Sequence, residues 1–322
     1  MSETVGALGE RGLIRLLRKR FSGLSMAGDD SAVLPSLECP VVTTDTFLEG
    51  SHFHRWWAPS RVLGRRLLEA TLSDLAAMGA EPMCIFTALQ LPPDISVKWL
   101  LEFYEGLLQR TAVPIAGGET VRSNKLSLTL TAIGEGGDPQ SLMRRSSLRD
   151  GDVLWVTGPL GKALDAPELL SRGGGLTGER LESAGDAYTS NELEQLRAFL
   201  CPRATLDKGY ALRSSGVRCA IDISDGLLSE AGHLAAESEV SVIIDVNKVP
   251  FFRSAAGRPL LAVSAGEDFE LLFGAPCEWQ PECPGCVPVG RAEGSGKGLK
   301  VLMDGREIEP PSTGYDHMEV EE

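Results

Sequence analysis

Apolar residues recur along this chain in two rhythms, one of period two and one of three to four, and the two alternate. Residues 126–133, LSLTLTAI, alternate strictly and predict a strand with one buried face. CPVVTTDT at 39–46, MCIFTALQL at 83–91 and the run 112–116 predict three more strands. Between them, Leu63, Leu67, Leu68, Leu72, Leu75 and Ala76 form a helical stripe within 60–79. Leu100, Leu101, Tyr104, Leu107 and Leu108 form another within 94–110. The N-terminal part therefore reads as one α/β unit.

Residues 134–152, GEGGDPQSLMRRSSLRDGD, interrupt this rhythm with Gly, Pro, Ser and charge. They predict a linker that divides the chain into domains 1–138 and 139–322. Beyond it the pattern predicts strands at 153–157, 217–223, 240–246, 259–264 and 269–273, and helices near 160–171, at 191–213 and at 226–238. Residues 172–190, rich in glycine and charge, predict a mobile loop.

A length of 322 residues, 43% of them hydrophobic and 24% charged, agrees with two globular domains. The balance of 31 Lys+Arg against 45 Asp+Glu, a net charge of −14, argues against a protein that tracks nucleic-acid phosphates. The first twenty residues hold no apolar run of signal-peptide type, and no stretch has membrane-spanning length. A cytoplasmic protein is expected, with its seven cysteines as reduced thiols.

The common nucleotide motifs are missing. No G-x-x-x-x-G-K-[ST] string occurs, and Gly173, Gly175 and Gly178 have dinucleotide-loop spacing without a strand leading into them. No protein-kinase catalytic loop is present. Cys283-Pro-Gly-Cys286 has zinc-knuckle spacing but no second ligand pair, and reads as a turn. The informative residues are acids placed where apolar runs stop: Asp29 and Asp30, Asp45 after Thr43 and Thr44, Asp74, Glu119 after two glycines, Asp222 and Asp225 around Ser224, and Glu267 with Asp268. Ligands of open α/β sheets lie at the carboxyl ends of strands, so these acids are expected to converge. Oxygen-only donors suit Mg²⁺ or Mn²⁺ far better than zinc, and several such ions beside glycines suit phosphates.

In this order, GDDSAVL (28–34), TTDTFLEGSHF (43–53), LSDLAAMGAEP (72–82), GGET (117–120), IDISDGL (221–227), GEDFELLF (266–273) and GYDH (314–317) resemble the thiamine-monophosphate kinases of the PurM-like superfamily. The resemblance spans nearly the whole chain. It implies an N-terminal α/β domain that pairs with its copy in a homodimer, followed by an α+β C-terminal domain. It implies transfer of the ATP γ-phosphoryl group to thiamine monophosphate with several Mg²⁺ ions. Carried over by position, Asp30, Thr43, Thr44, Asp45, Asp74, Glu119, Asp222 and Asp225 would hold metal. Tyr104, Gly118, Glu119, Arg145 and Ser224 would contact ATP, with Arg144 an equal candidate to Arg145, and His52, Glu267 and Tyr315 would hold thiamine monophosphate.

No dedicated catalytic base is implied, because the acceptor is already an anionic phosphate oxygen. The chain departs from the family at Glu119, where Asp is usual, at Ala265, where Gly is usual, and at Ser51, where an apolar residue is usual. The longer Glu119 stem carries its carboxylate ~1.5 Å further out. These departures keep two other readings open, a non-catalytic nucleotide and thiamine-phosphate binder and a PurM-like enzyme with another acceptor.

Overall fold

A computed structural model of the chain describes residues 3–24, 26–110, 113–178, 181–183, 187–281 and 284–315. Cys283, Asp316, His317 and the acidic tail lie outside the described residues. The chain forms two compact units. The first comprises Met1–Leu75, Glu81–Gly137 and Pro167–Leu193, and the second Ala76–Ala80, Asp138–Ala166 and Glu194–Glu322.

The elements begin with α1 (Val5–Arg20), β1 (Pro40–Leu48), α2 (Ser60–Met78), β2 (Glu81–Leu91), α3 (Val97–Leu107), β3 (Ile115–Arg122) and β4 (Ser127–Glu135). Helix α1 starts where the Thr4 hydroxyl accepts the Ala7 N–H at 3.3 Å. The four strands form one sheet in the order β1-β4-β2-β3, with β2 and β3 parallel and the other pairs antiparallel. The alternation seen in the sequence is real: Leu128, Leu130 and Ala132 of β4 are fully buried, while Thr129 and Thr131 between them are not. Leu67, Leu68, Leu72 and Leu75 of α2 are buried too. Each such leucine contributes about 1.5–3 kcal/mol on leaving water.

After β5 (Val153–Val156) come α4 (Ala166–Gly173) and two short strands, β6 (Leu176–Thr177) and β7 (Glu182–Ser183), which pair with each other. There follow α5 (Ser190–Leu200), α6 (Leu206–Ser214), β8 (Cys219–Asp222), α7 (Leu227–Ser238), β9 (Val240–Asp245), α8 (Pro259–Ser264), β10 (Leu271–Ala275), β11 (Val287–Ser295), β12 (Leu299–Met303) and β13 (Arg306–Ile308). The second unit is built on a seven-stranded sheet ordered β13-β12-β9-β11-β5-β10-β8. Among the described residues only its β12–β9 pair is parallel. Its core joins Leu154, Ile221, Leu234, Val242 and Leu272, which come from strands and from α7.

The structure corrects several expectations. Residues 259–264 form a helix instead of a strand: Pro259 stands at its first turn with φ already suited to a helix, and a short apolar run carries no periodicity to separate the two. The single helix expected at 191–213 is two, separated around Pro202, which has no N–H to continue the first. Strands β11 to β13 escaped the apolar pattern because few of their positions are buried, Val289 and Ala292 in β11 and Val301 in β12. Asp304-Gly305 at the β12–β13 turn, with φ of 52° and 73°, is a hairpin signal that could have revealed them. Among the described residues six cysteines are free thiols.

Candidate active site

In the first unit the candidate residues stand on both edges of the sheet. Strand alternation puts Thr43 and Asp45 on one face of β1 and Thr44 on the other. The Thr43 hydroxyl donates to the Asp74 carboxylate of α2, so one threonine and two acids share that face. Thr44 instead shares its hydroxyl with Thr131 at 2.9 Å, and any ligand from it would come from its main chain. Asp30 lies exposed in the segment before β1.

At the opposite edge, Glu119 is exposed on β3 and accepts the Thr120 N–H at 2.9 Å. The row Asp45–Leu130–Thr87–Gly118 crosses all four strands. At ~4.8 Å per strand, Asp45 and the Gly118–Glu119 edge are ~14 Å apart, too far to share an ion. Gly118 lies so close to β2 that a Cβ there would collide with the Thr87 carbonyl oxygen. Tyr104 is buried against Phe21 and Phe103, with its hydroxyl 3.4 Å from that of Thr87. It is a core residue of this unit.

His52 is held in one orientation. Its Nδ1 accepts the Leu48 N–H at 3.1 Å, its ring stacks on Phe47, and the buried Arg66 donates to its carbonyl at 2.9 Å. With Nδ1 accepting, the neutral ring carries its proton on Nε2, as a donor for an anion.

In the second unit the structure brings the predicted residues together. Asp222 ends β8, and Ser224 and Asp225 lie in the turn before α7. Two further segments run beside this turn. The Glu267 N–H donates to the Ser224 carbonyl at 2.7 Å, Phe269 N–H to Ile223 at 2.9 Å, and Tyr315 N–H to Asp225 at 3.0 Å. Ile223 N–H returns a bond to the Glu270 carbonyl at 2.8 Å. Ser224 and Asp225, Glu267, and Tyr315, from three segments distant in sequence, thus meet through their main chains. Tyr315 as a residue is 58% exposed.

Beneath the turn, buried Glu230 accepts the Asp225 N–H at 3.1 Å. Burial pushes its carboxyl up to about 7, with the Asp225 N–H and the Arg145 charge opposing the rise. The Arg145 charge therefore acts on the group that supports Asp225. Arg144 instead donates to the Pro139 carbonyl at 3.4 Å and lines a separate groove with Arg149 and Arg218.

Glu270 with its partners, which the sequence reading passed over, and Asp268, which it counted among the acids without a role, complete this region. Glu270 accepts from the Lys162 ammonium, from Lys208 at 3.0 Å and from the Thr157 hydroxyl at 2.7 Å. Burial works against the Glu270 carboxylate, but the lysines and Thr157 outweigh it and hold it below the usual range. Asp268 accepts two main-chain N–H groups, from Gly161 at 2.8 Å and Lys162 at 2.9 Å. Its burial pushes it up to about 7, opposed by those bonds and by the Lys162 charge and reinforced by Glu270. Three acids within four residues at 267–270, beside an apolar strand, was the available signal.

The folded protein thus holds the Asp268 proton more tightly than an unfolded chain, so the associated stability is present below pH ~4 and is lost as pH rises through about 7. Glu230 has the same sign. The melting temperature of the metal-free protein is expected to fall from pH 5 to pH 8, and Asp268→Asn to flatten but not abolish that decline. Parallel slopes for the two proteins in a thermal melt series would contradict the assignment.

Among the described residues no group of three or more His, Cys, Asp or Glu is close enough to hold a metal ion by itself. The expected convergence of acids into a ready-made cluster is therefore not what the structure has. It has Asp45 and Asp74 with the Thr43 hydroxyl in one unit, and Asp222 with Asp225 in the other. Few carboxylates, all with oxygen donors, fit Mg²⁺, which takes one or two carboxylates and fills its shell with water and substrate phosphates.

Residues 28–135 match the family described as AIR synthase related protein, N-terminal domain, and residues 149–307 match its C-terminal domain. The thiamine-monophosphate kinase of Leptospira interrogans is 32% identical over 286 residues, 86% of this chain and 89% of that protein. That of Aquifex aeolicus is 32% identical over 325 residues, covering 96% and 98%. A solved structure of AaThiL complexed with AMPPCP and TMP superposes with a TM-score of 0.74 at 29% identity, covering 97% of each chain. Among the described residues no helix is long and apolar enough to cross a membrane.

Proposed function

We propose, on the premise that this chain belongs to the AIR synthase related family and within it to the thiamine-monophosphate kinases, that it moves the γ-phosphoryl group of ATP onto thiamine monophosphate with the help of Mg²⁺. Its fold is PurM-like, an α/β N-terminal domain and an α+β C-terminal one. We assign residues 1–138 to the first and 139–322 to the second. The observation that carries the reading is the meeting of Ser224 and Asp225 with Glu267 and Tyr315 through the 2.7 Å and 3.0 Å main-chain bonds. Nucleotide-side and acceptor-side groups then occupy one rim.

A phosphate oxygen of thiamine monophosphate attacks the γ-phosphorus, the bond from that phosphorus to the β–γ bridging oxygen breaks, and ADP leaves. The attacking oxygen is already anionic, so alignment and charge neutralisation suffice without a protein base. Asp45, Asp74 and the Thr43 hydroxyl of the first unit would hold Mg²⁺, as would Asp222 and Asp225 of the second, with Asp30, Thr44 and Glu119 as further contributors. When bound, Mg²⁺ supplies positive charge against the transferring phosphates.

Arg145 is the stronger of the two neighbouring arginines for a phosphate, because its charge reaches the Asp225–Glu230 pair while Arg144 is turned to Pro139. Gly118 and Ser224 offer main-chain groups to the nucleotide. Tyr104, buried, supports the Gly118 edge through Thr87. On the acceptor side the His52 Nε2–H donates to the substrate phosphate, Glu267 faces the cationic or amino-bearing rings of thiamine, and the ring of the exposed Tyr315 stacks on the thiazolium. A homodimer through the first unit is part of this reading: Val42 on β1 and Val121 on β3 are 58% and 46% exposed, an apolar residue on each edge strand.

The test is one incubation with thiamine monophosphate, ATP and Mg²⁺, followed by chromatography, with an acceptor-free control. Equal amounts of thiamine diphosphate and ADP are expected, and none after EDTA. Binding of both ligands without product would instead indicate a binder or another acceptor, and would make Glu119 and Ala265 the residues to examine.

A further inference from the structure

The acceptor side of the site rests on a segment in unusual conformation. Glu267 and Phe269 have φ of 67° and 51°, the left-handed region that L side chains occupy only where their surroundings hold them there. Between them stands Asp268, 5% exposed, whose two carboxylate oxygens take the Gly161 and Lys162 N–H groups. Two residues on, Glu270 is anchored by Lys162, Lys208 and Thr157. Lys162, Lys208, Glu267, Asp268 and Glu270 line one cleft of about 460 Å³. The segment is thus fixed at 268 and 270, and the left-handed turns at 267 and 269 follow from those anchors and from the bonds to Ser224 and Ile223.

We infer that Asp268 is a positioning residue for the acceptor: by gripping the main chain at 161–162 it keeps Glu267 in its left-handed conformation and so sets where the Glu267 carboxylate meets thiamine monophosphate. The inference rests on the proposed role of Glu267. Asp268 itself touches no reacting atom. It acts through direction alone, because relaxing φ at residue 267 swings the whole side chain about the main chain, whereas the Ser224 and Asp225 side of the turn has its own support from Glu230.

The experiment is a double-mutant cycle on the full enzyme with Asp268→Asn, Glu267→Gln and the pair. An amide at 268 retains the shape but turns one acceptor into a donor facing a buried N–H. Asp268→Asn is expected to raise KM for thiamine monophosphate about tenfold, the scale of a small misplacement, with kcat and KM for ATP changed less than about threefold. The pair is expected to be no worse than Glu267→Gln alone, since a misdirected side chain that no longer contributes costs nothing further. A merely structural role would raise both KM values together or multiply the two losses, and either result overturns the inference.

If Asp268→Asn does not fold, Asp268→Ser, whose shorter side chain leaves room for a water to accept the two N–H groups, is read by the same split. An unchanged KM for thiamine monophosphate in Glu267→Gln would instead remove the assigned role of Glu267, on which this inference depends, and is distinguishable because Asp268 plays no part in it.

Discussion

Asp45→Asn is expected to lower kcat about 10³-fold or more, a loss of ~4 kcal/mol of transition-state stabilisation, while leaving the melting temperature within about 2 °C of the parent. Asp45 lies on the face of β1 that carries Thr43, whose hydroxyl binds Asp74. Few carboxylates share this face, so losing one removes a large part of the charge that holds a cation there. Asn has nearly the same shape, and the change removes one negative charge from a chain of net charge −14, so repulsion within the fold does not increase. The measurement is thiamine diphosphate formed per enzyme at saturating substrates, beside a thermal melt. A kcat within about threefold of the parent would take Asp45 out of the metal site.

Gly266→Ala is expected to reduce kcat/KM by about a hundredfold and to lower the melting temperature by roughly 5 °C. A methyl on residue 266 would collide with the Ser224 carbonyl oxygen and crowd the Asp225 Cα at 3.2 Å. That carbonyl is the acceptor of the Glu267 N–H. Relief requires the 222–226 and 266–270 segments to separate, which parts Ser224 and Asp225 from Glu267 and misaligns both substrates at once. Both KM values should therefore rise, in contrast to the selective effect expected at Asp268. Steady-state kinetics with each substrate varied in turn distinguishes the two, and a near-normal kcat/KM would show that the segments need not stay in register.

Much of this was legible beforehand, and for identifiable reasons. Leu128, Leu130 and Ala132 could be placed on a buried face because side chains on a strand alternate, whatever the rest of the fold does. The apolar runs at 39–46 and 217–223 foretold strands β1 and β8 beside Thr43 to Asp45 and Asp222 to Asp225, but the run 112–116 stopped short of Gly118 and Glu119, and Asp45 and Glu119 lie inside β1 and β3, not past their ends as expected. Thr44 shows the limit of the same rule: the motif counts it with its neighbours, but alternation sends its side chain to the opposite face, toward Thr131. Residues 259–264 show another, since five or six apolar positions fit helix and strand alike.

By itself the sequence determined the local periodicities, a mixed α and β chain of two domains, the motif strings and the oxygen-rich chemistry of the site, because each depends on residue type and short spacing, while the α+β class of the C-terminal domain came from the family resemblance. Only the tertiary structure decided which of those residues meet. It separated Asp45 from Glu119 by the width of a sheet, assigned the two adjacent arginines to different neighbours, and buried Tyr104. It also joined Glu267 and Tyr315 to a turn some forty and ninety residues away. The pairing of Asp268 with the 161–162 main chain and of Glu270 with two lysines could not be read from spacing. Strand order and main-chain bonds across a sheet are fixed by burial of the whole core, a condition no local stretch of sequence contains.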